Sequence, residues 1–243
     1  MKGFFTAFLL LLLLGKAPAQ MVSPGQAGLN AAMLKLFGNT KAFSSQSEAR
    51  TLDKTGKEMM SLKMKFALLE NKIRLDVDLA QLKSAEINPQ MVASFKQVGM
   101  DKLVSIVRLD RKSTLVVYPA LQAYTEVPMS SEDAADVGKE FTVQKTALGA
   151  ETLDGHPCQK NKVIVTDPKG ARQEALVWNA RDLQDFPIQM QIMQSDGTIL
   201  LRYSDVRLTR PEAAQFEAPP GFAKHEGMEK LMQAAMMKSL GGK

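Results

Sequence analysis

The feature that most narrows what this chain can become is the run from Glu58 to Leu79. Leu62, Met64, Phe66 and Leu68 alternate with Lys63 and Lys65; beyond Glu70-Asn71, Ile73, Leu75, Val77 and Leu79 alternate with Arg74, Asp76 and Asp78. A period of two belongs to strands with one face on a core, so the spacing predicts an antiparallel hairpin turning at Glu70-Asn71. A slip of one residue would hand every apolar side chain to water, so the apolar face sets the register. Opposite charges on the polar face can pair across the strands, each pair worth about 0.2–1 kcal/mol.

The stretch from Leu176 to Leu208 repeats the theme. It reads as a strand carrying the only tryptophan, Trp178, a corner from Asp182 to Pro187, and two strands joined at Asp196-Gly197. Ile188, Met190 and Ile192 alternate with Gln189 and Gln191, and Asp-Gly between such runs is a strong hairpin signal.

Elsewhere, Pro24 to Phe37 has helical spacing with a stop at Gly38-Asn39, and Lys41 to Thr51 is polar enough to read as an edge strand at best. Asn88 to Met100 reads as a helix with an Asn cap, Pro89 in its first turn and a buried stripe of Met91, Val92, Phe95 and Val98. Strands follow at Lys102 to Leu109, Thr114 to Tyr118 and Gln122 to Val127, then a short helix after Ser130. Phe141 to Leu148 and Cys158 to Asp167 form a strand pair around a loop from Gly149 to Pro157. Phe216 to Phe222 ends the sheet with proline breaks, and Glu226 to Leu240 is an amphipathic helix carrying Met228, Leu231, Met232, Ala235, Met236 and Leu240 on one side. The fold class expected is mainly β with α, an unclosed, strongly curved antiparallel sheet whose apolar concave face is covered by helices.

Residues 1–19 read as a signal peptide, with Lys2 before an apolar core and Ala17-Pro18-Ala19 as a small-x-small cleavage site. The expectation is export to a bacterial periplasm or beyond, with residues 20–225 as one domain and 226–243 as the C-terminal helix. No other apolar run is long enough to span a bilayer. The net charge of +5 includes Lys2 and Lys16, and the remaining basic residues are scattered among acidic ones, which argues against a nucleic-acid footprint. Cys158 is the only cysteine, so no internal disulfide forms and a monomer stabilised by its core is expected.

The segments Gly155 to Val163, Leu176 to Leu183, Phe186 to Met190, Asp205-Val206 and Phe216 to Phe222, with Tyr118-Pro119 and Tyr124 to Pro128 before them, are together similar to a family of exported bacterial domains. That family belongs with the LolA-like and LppX-like proteins, which include the outer-membrane lipoprotein carrier. The resemblance implies an unclosed antiparallel half-barrel whose hollow is plugged by helices and binds acyl chains.

The chemistry expected is binding, without catalysis or cofactor. The wall of the hollow would be Leu62, Met64, Phe66, Ile73, Leu75, Val77, Trp178, Ile188, Met190 and Ile192, with Met91 and Phe95 on a lid, and the partner a lipid, an acyl chain or another apolar ligand. The same residues also serve as ordinary core, which leaves open a structural module that docks onto an envelope protein. Thioethers at Met228, Met232 and Met236 near His225 have the softness that Cu(I) takes, though the spacing is equally that of an amphipathic stripe. His156 and Cys158 resemble a base and nucleophile without a positioned third group, and the pairs Asp76/Asp78 and Asp182/Asp185 fit a solvated face and a corner. No phosphate loop, zinc spacing or serine-hydrolase elbow is present.

Overall fold

The computed structural model describes residues 33–84, 87–167 and 169–241, so the expected signal segment and most of the first expected helix lie outside the described residues. Twelve strands are hydrogen-bonded into one sheet: β1 Ala42–Asp53, β2 Glu58–Leu69, β3 Lys72–Ser84, β4 Lys102–Arg108, β5 Ser113–Tyr118, β6 Ala123–Pro128, β7 Thr142–Leu153, β8 His156–Thr166, β9 Arg172–Ala180, β10 Phe186–Gln194, β11 Gly197–Arg207 and β12 Ala223–His225. The order is β12-β6-β5-β4-β3-β2-β1-β11-β10-β9-β8-β7, with two ends that do not pair, so the sheet is not closed. Among the described residues the helices are α1 Pro89–Gln97, α2 Ser131–Asp136 and α3 Gly227–Gly241, and residues 33–36 are also helical. The mainly-β, unclosed sheet of the sequence reading is therefore what forms. Two details differ: β12 runs parallel to β6, and β1 lies inside the strand order, because its small Ser45 and Ser47 and its aromatic Phe43 are all buried.

Packing divides the chain into two compact units. The first comprises residues up to Thr40, Ser47–Met59 and Ser130–Ser204; the second comprises Lys41–Gln46, Met60–Met129 and Asp205–Lys243.

In the second unit the predicted hairpin forms with Leu69 opposite Lys72, and Glu70 takes the left-handed φ of 57° that the tight turn needs. One strand face carries Phe66, Leu75, Ser105, Val116 and Thr125 in successive pairs from β2 to β6. The opposite face is also buried, which the alternation did not foretell. Ala67, Leu69, Val104, Ile106, Leu115 and Val117 pack there under Phe216, with Ala218 and Phe222 alongside. The covering segment is tied down by Arg108, whose side chain is only 3% exposed. Its guanidinium donates to the Phe216 carbonyl at 3.1 Å, to Glu217 at 2.6 Å and to Asp110 at 2.8 Å, so the buried charge is paired as burial requires. The same guanidinium holds the Asp110 carboxyl below its ordinary range.

In the first unit β7 to β11 form a meander of hairpins. The expected loop from Gly149 to Pro157 is largely strand: β7 and β8 continue to Leu153 and His156 around Asp154-Gly155, with φ of 52° and 83°, the left-handed pair of a type I′ turn. Gly149 marks a bulge in β7 rather than its end. The Asp196-Gly197 hairpin forms with Gln194 opposite Gly197, but its glycine answers to a close approach. A Cβ there would run into the carbonyl oxygen of Leu52.

Candidate functional site

The predicted wall is best followed unit by unit. In the second unit, Met64 lies opposite Val77, Phe66 opposite Leu75, and Ile73 opposite Val107, so Met64, Phe66, Ile73, Leu75 and Val77 share one face. Leu62 pairs with Leu82 across a register irregularity. Leu62, Phe66, Ile73 and Val77 are 0–5% exposed, whereas Met64 and Leu75 are half-buried. Phe43 stacks on Phe66 with centroids 5.3 Å apart, which puts Ser45, two residues on, on the same face. The Ser45 hydroxyl is buried there with no hydrogen-bond partner.

The C-terminal helix starts on this face, where the Gly227 amide donates to Thr125 Oγ1 at 3.1 Å. Among the described side chains of α3, Leu231 and Ala235 are the fully buried ones. Met228 and Met232 are half-buried and Met236 is 52% exposed, so the stripe is narrower than its apolar spacing implied. α1 has the expected cap, with Asn88 accepting from the Gln90 amide and Pro89 at the first turn, but none of its residues is buried. Met91 and Phe95 are half-buried, and the stripe read from the sequence is a partly wetted one.

In the first unit, Met190 pairs with Val177 and Leu201, and Ile192 with Ala175 and Ile199; both are at most 2% exposed. Ile188 is buried at the irregularity between Pro187 and Gln189. Trp178 is the correction. It pairs with Gln189 and Lys160, and since directly opposed residues share a face, it lies on the side away from Val177 and Met190. Its ring is covered by Lys160 Nζ at 4.6 Å and its Nε1 donates to Glu151. Val177 and Trp178 are both buried, and the unbroken apolar run Ala175-Leu176-Val177-Trp178 gives alternation no contrast by which to tell the two faces of β9 apart there. On the Met190 side, Phe186 and Tyr203 meet Phe37 with ring centroids 5.6–5.9 Å apart. Burial pushes the Tyr203 hydroxyl above its ordinary range.

Two open spaces lie where the sequence reading placed only solvated charge. A cavity of about 310 Å³ is lined by Ser44, Lys65, Arg74, Asp76, Asp205, Arg207 and Gln215 among others. A second, of about 510 Å³, shares Gln46, Lys65, Arg74 and Asp76 with it and adds Lys63, Asp78 and Lys102 beside Met64, Val77, Leu103 and Val104. Lys65 pairs with Asp76 and Ala67 with Arg74, so these charges occupy the face of β2 and β3 opposite Phe66. Arg74 is fixed by Asp76 at 2.7 Å and by the Gln215 carbonyl at 2.6 Å.

The reactive-looking groups do not assemble into a catalytic set. His156 Nδ1 lies 2.7 Å from Asp182 Oδ2, which supplies the third group the sequence did not reveal. Cys158, however, is 1% exposed and donates to the His156 carbonyl at 3.4 Å. Burial raises its thiol pKa, the reverse of nucleophile activation. Asp76 is taken by Arg74, and Asp78 by Lys102 and the Ala80 amide. Among the described residues no group of three or more His, Cys, Asp and Glu side chains is placed to hold a metal ion, and no helix is long and apolar enough to cross a membrane.

Comparison with curated proteins gives no match. Among solved structures, the chain is similar to the lipoprotein LppX of Mycobacterium tuberculosis at 16% identity and a TM-score of 0.40, over 76% of this chain and 96% of that one. It is also similar to a LolA-superfamily protein of Nitrosomonas europaea at 12% identity and a TM-score of 0.36, over 81% and 98%. A third is LprF of Mycobacterium bovis at 14% identity and a TM-score of 0.37, over 79% and 98%. A family model described as a domain of unknown function, DUF4412, matches residues 51–223. The chain belongs to the DUF4412 family.

Proposed function

We propose that this chain is an exported, non-catalytic envelope protein that holds a lipid, an acyl chain or another apolar ligand against the Phe66 face of β2 to β6, with α3 as a displaceable lid. The observation that carries the reading is how lightly α3 is held. Full burial of Leu231 contributes about 1.5–3 kcal/mol and the Ala235 methyl about 0.8 kcal/mol. An acyl chain gains about 0.8 kcal/mol per buried methylene, so roughly three to five methylenes offset the burial of Leu231 and Ala235. Half-buried Met64 and Leu75 give a ligand its first foothold, and a thioether adapts to chains of different shape. Leu62, Phe66, Ile73 and Val77 form the floor, and half-buried Met91 and Phe95 on α1 are the candidate flanking residues. Ile188, Met190 and Ile192 belong to the first unit and are separate from this floor, and Trp178 faces away from Met190.

Native mass spectrometry of protein purified from a bacterial envelope, with uptake of a fluorescent fatty acid, tests this. Co-purifying lipid, or uptake that rises when residues 227–241 are removed, supports the reading. No lipid and no uptake in either the full chain or a folded helix-deleted variant refutes it. The near-complete burial of Leu62, Phe66, Ile73 and Val77 favours a second reading, a packed module that docks on an envelope protein. That reading expects the ligand-free outcome.

A further inference from the structure

We propose that the charged groove on the opposite face of β2 and β3 is a binding site for a small anion of the phosphate class. Its two cavities, of about 310 and 510 Å³, share Gln46, Lys65, Arg74 and Asp76. Inside the groove the charges sort into those already satisfied and those not. Arg74 is held by Asp76, and Lys102 lies 3.8 Å from Asp78. Among the described residues, Lys63, Lys65 and Arg207 take part in no ion pair or side-chain hydrogen bond. The single carboxylate without a cationic partner is Asp205, so the unpaired charge in the groove is positive.

A second observation falls at the same place. Of the non-glycine residues with left-handed backbone, Glu70, Lys112, Gln122, Asp154, Gln184 and Asp185 sit in turns or just after 3₁₀ turns, but Asp205 (φ 51°) lies within β11. Such a conformation costs about 1–3 kcal/mol and gathers at ligand clamps. Here it sits two residues before Arg207, the residue that brings the second free cation to the cavity lined by Lys65. The Arg74 guanidinium, fixed by Asp76 and the Gln215 carbonyl, forms a rigid wall. Arginine and lysine together recognise phosphate through a directional fork and a point charge. Asp205 would bond the protonated oxygen of a phosphate monoanion and repel the fully ionised form.

The phosphate would come either free from solution or from a phospholipid headgroup, and both sources offer the same atoms to Lys65 and Arg207. Inorganic phosphate is titrated by calorimetry into the full chain, and separately the chain is floated with vesicles of phosphatidylglycerol or of phosphatidylcholine. Binding of free phosphate, or flotation with phosphatidylglycerol alone, supports the site and tells the sources apart. The double variant Lys65→Gln/Arg207→Gln is expected to lose at least about tenfold in affinity, since each charge-assisted bond counts for that much or more. Gln46→Glu, isosteric and exposed, should abolish binding without touching the fold, and Lys96→Gln on α1 should leave it unchanged. No binding in any arm, or binding undiminished in both groove variants, overturns the proposal. Fatty-acid uptake on the Phe66 face is read separately and does not depend on this outcome.

Discussion

Leu231→Ala in α3 separates a lid from a plain piece of core, because the two roles give opposite signs. Leu231 is 0% exposed and Ala235 2%, and their burial gives a docking free energy of about 2–4 kcal/mol, or roughly 30- to 900-fold in favour of the covered state. A ligand that needs the uncovered face has its apparent affinity weakened by that factor. Truncating a fully buried leucine costs about 2–5 kcal/mol, enough to remove most or all of the docking. The melting temperature should therefore fall by several degrees while uptake of a fluorescent fatty acid tightens by about tenfold or more. Thermal denaturation and fluorescence titration on one preparation read both. A variant that loses stability and binds equally or more weakly would show that α3 is core, and the lid argument would fail.

Three further outcomes follow from the geometry. Met190→Asp puts a carboxylate against Val177 and Leu201 at a site with 0% exposure, a loss of several kcal/mol, and should abolish cooperative unfolding; a mutant melting within a few degrees of wild type would put Met190 on the wrong face. Trp178→Phe removes the Nε1 bond to Glu151 and weakens the Lys160 contact, so it should cost about 1–2 kcal/mol and leave fatty-acid uptake unchanged; lost uptake would return Trp178 to the ligand wall. Finally, Arg108 depresses the Asp110 pKa and Lys224 with Ser113 depresses that of Glu126. A carboxylate with a lowered folded pKa contributes stability above its unfolded value and loses it as pH falls through the folded one. Stability should thus decline below about pH 4, less steeply in Arg108→Met, and an identical acid limb in that variant would exclude Asp110 as a source.

The elements that local chemistry specifies were legible in the chain. The β2–β3 hairpin followed from its alternating apolar and charged residues, and α1 from Asn88 and Pro89. What escaped was decided by distant partners. Lys65, Arg74 and Asp76 read as a solvated face, and nothing near them announces that Asp205, Arg207 and Gln215 close a cavity over them. Phe216 read as the end of the sheet, whereas it covers Ile106 and Val117. Gly149 and Pro157 read as loop because both break strands, yet one sits at a bulge and the other pairs with Thr152 in the ladder. Met64, Phe66, Leu75 and Val77 lie on one strand face, as their alternation predicts, whereas Trp178 lies on the face of β9 away from Met190, because Ala175 to Trp178 is an unbroken apolar run in which period two carries no information.

The parallel strand β12 has a consequence for how the chain becomes folded. β6 ends at Pro128, and the residues that cover its free edge are Ala223 to His225. Phe216, which completes the apolar cluster on the same unit, arrives only shortly before them. During synthesis the edge of β6 and the patch around Ile106 stay bare until Phe216 and Ala223 to His225 have been made. Closing so long a stretch of chain is slow, and an uncovered strand edge is a template for pairing with other copies. The segment from Phe216 to His225 is thus the chain's own protection against aggregation, and a chain released before that segment is made carries a sheet that is nearly complete and unprotected.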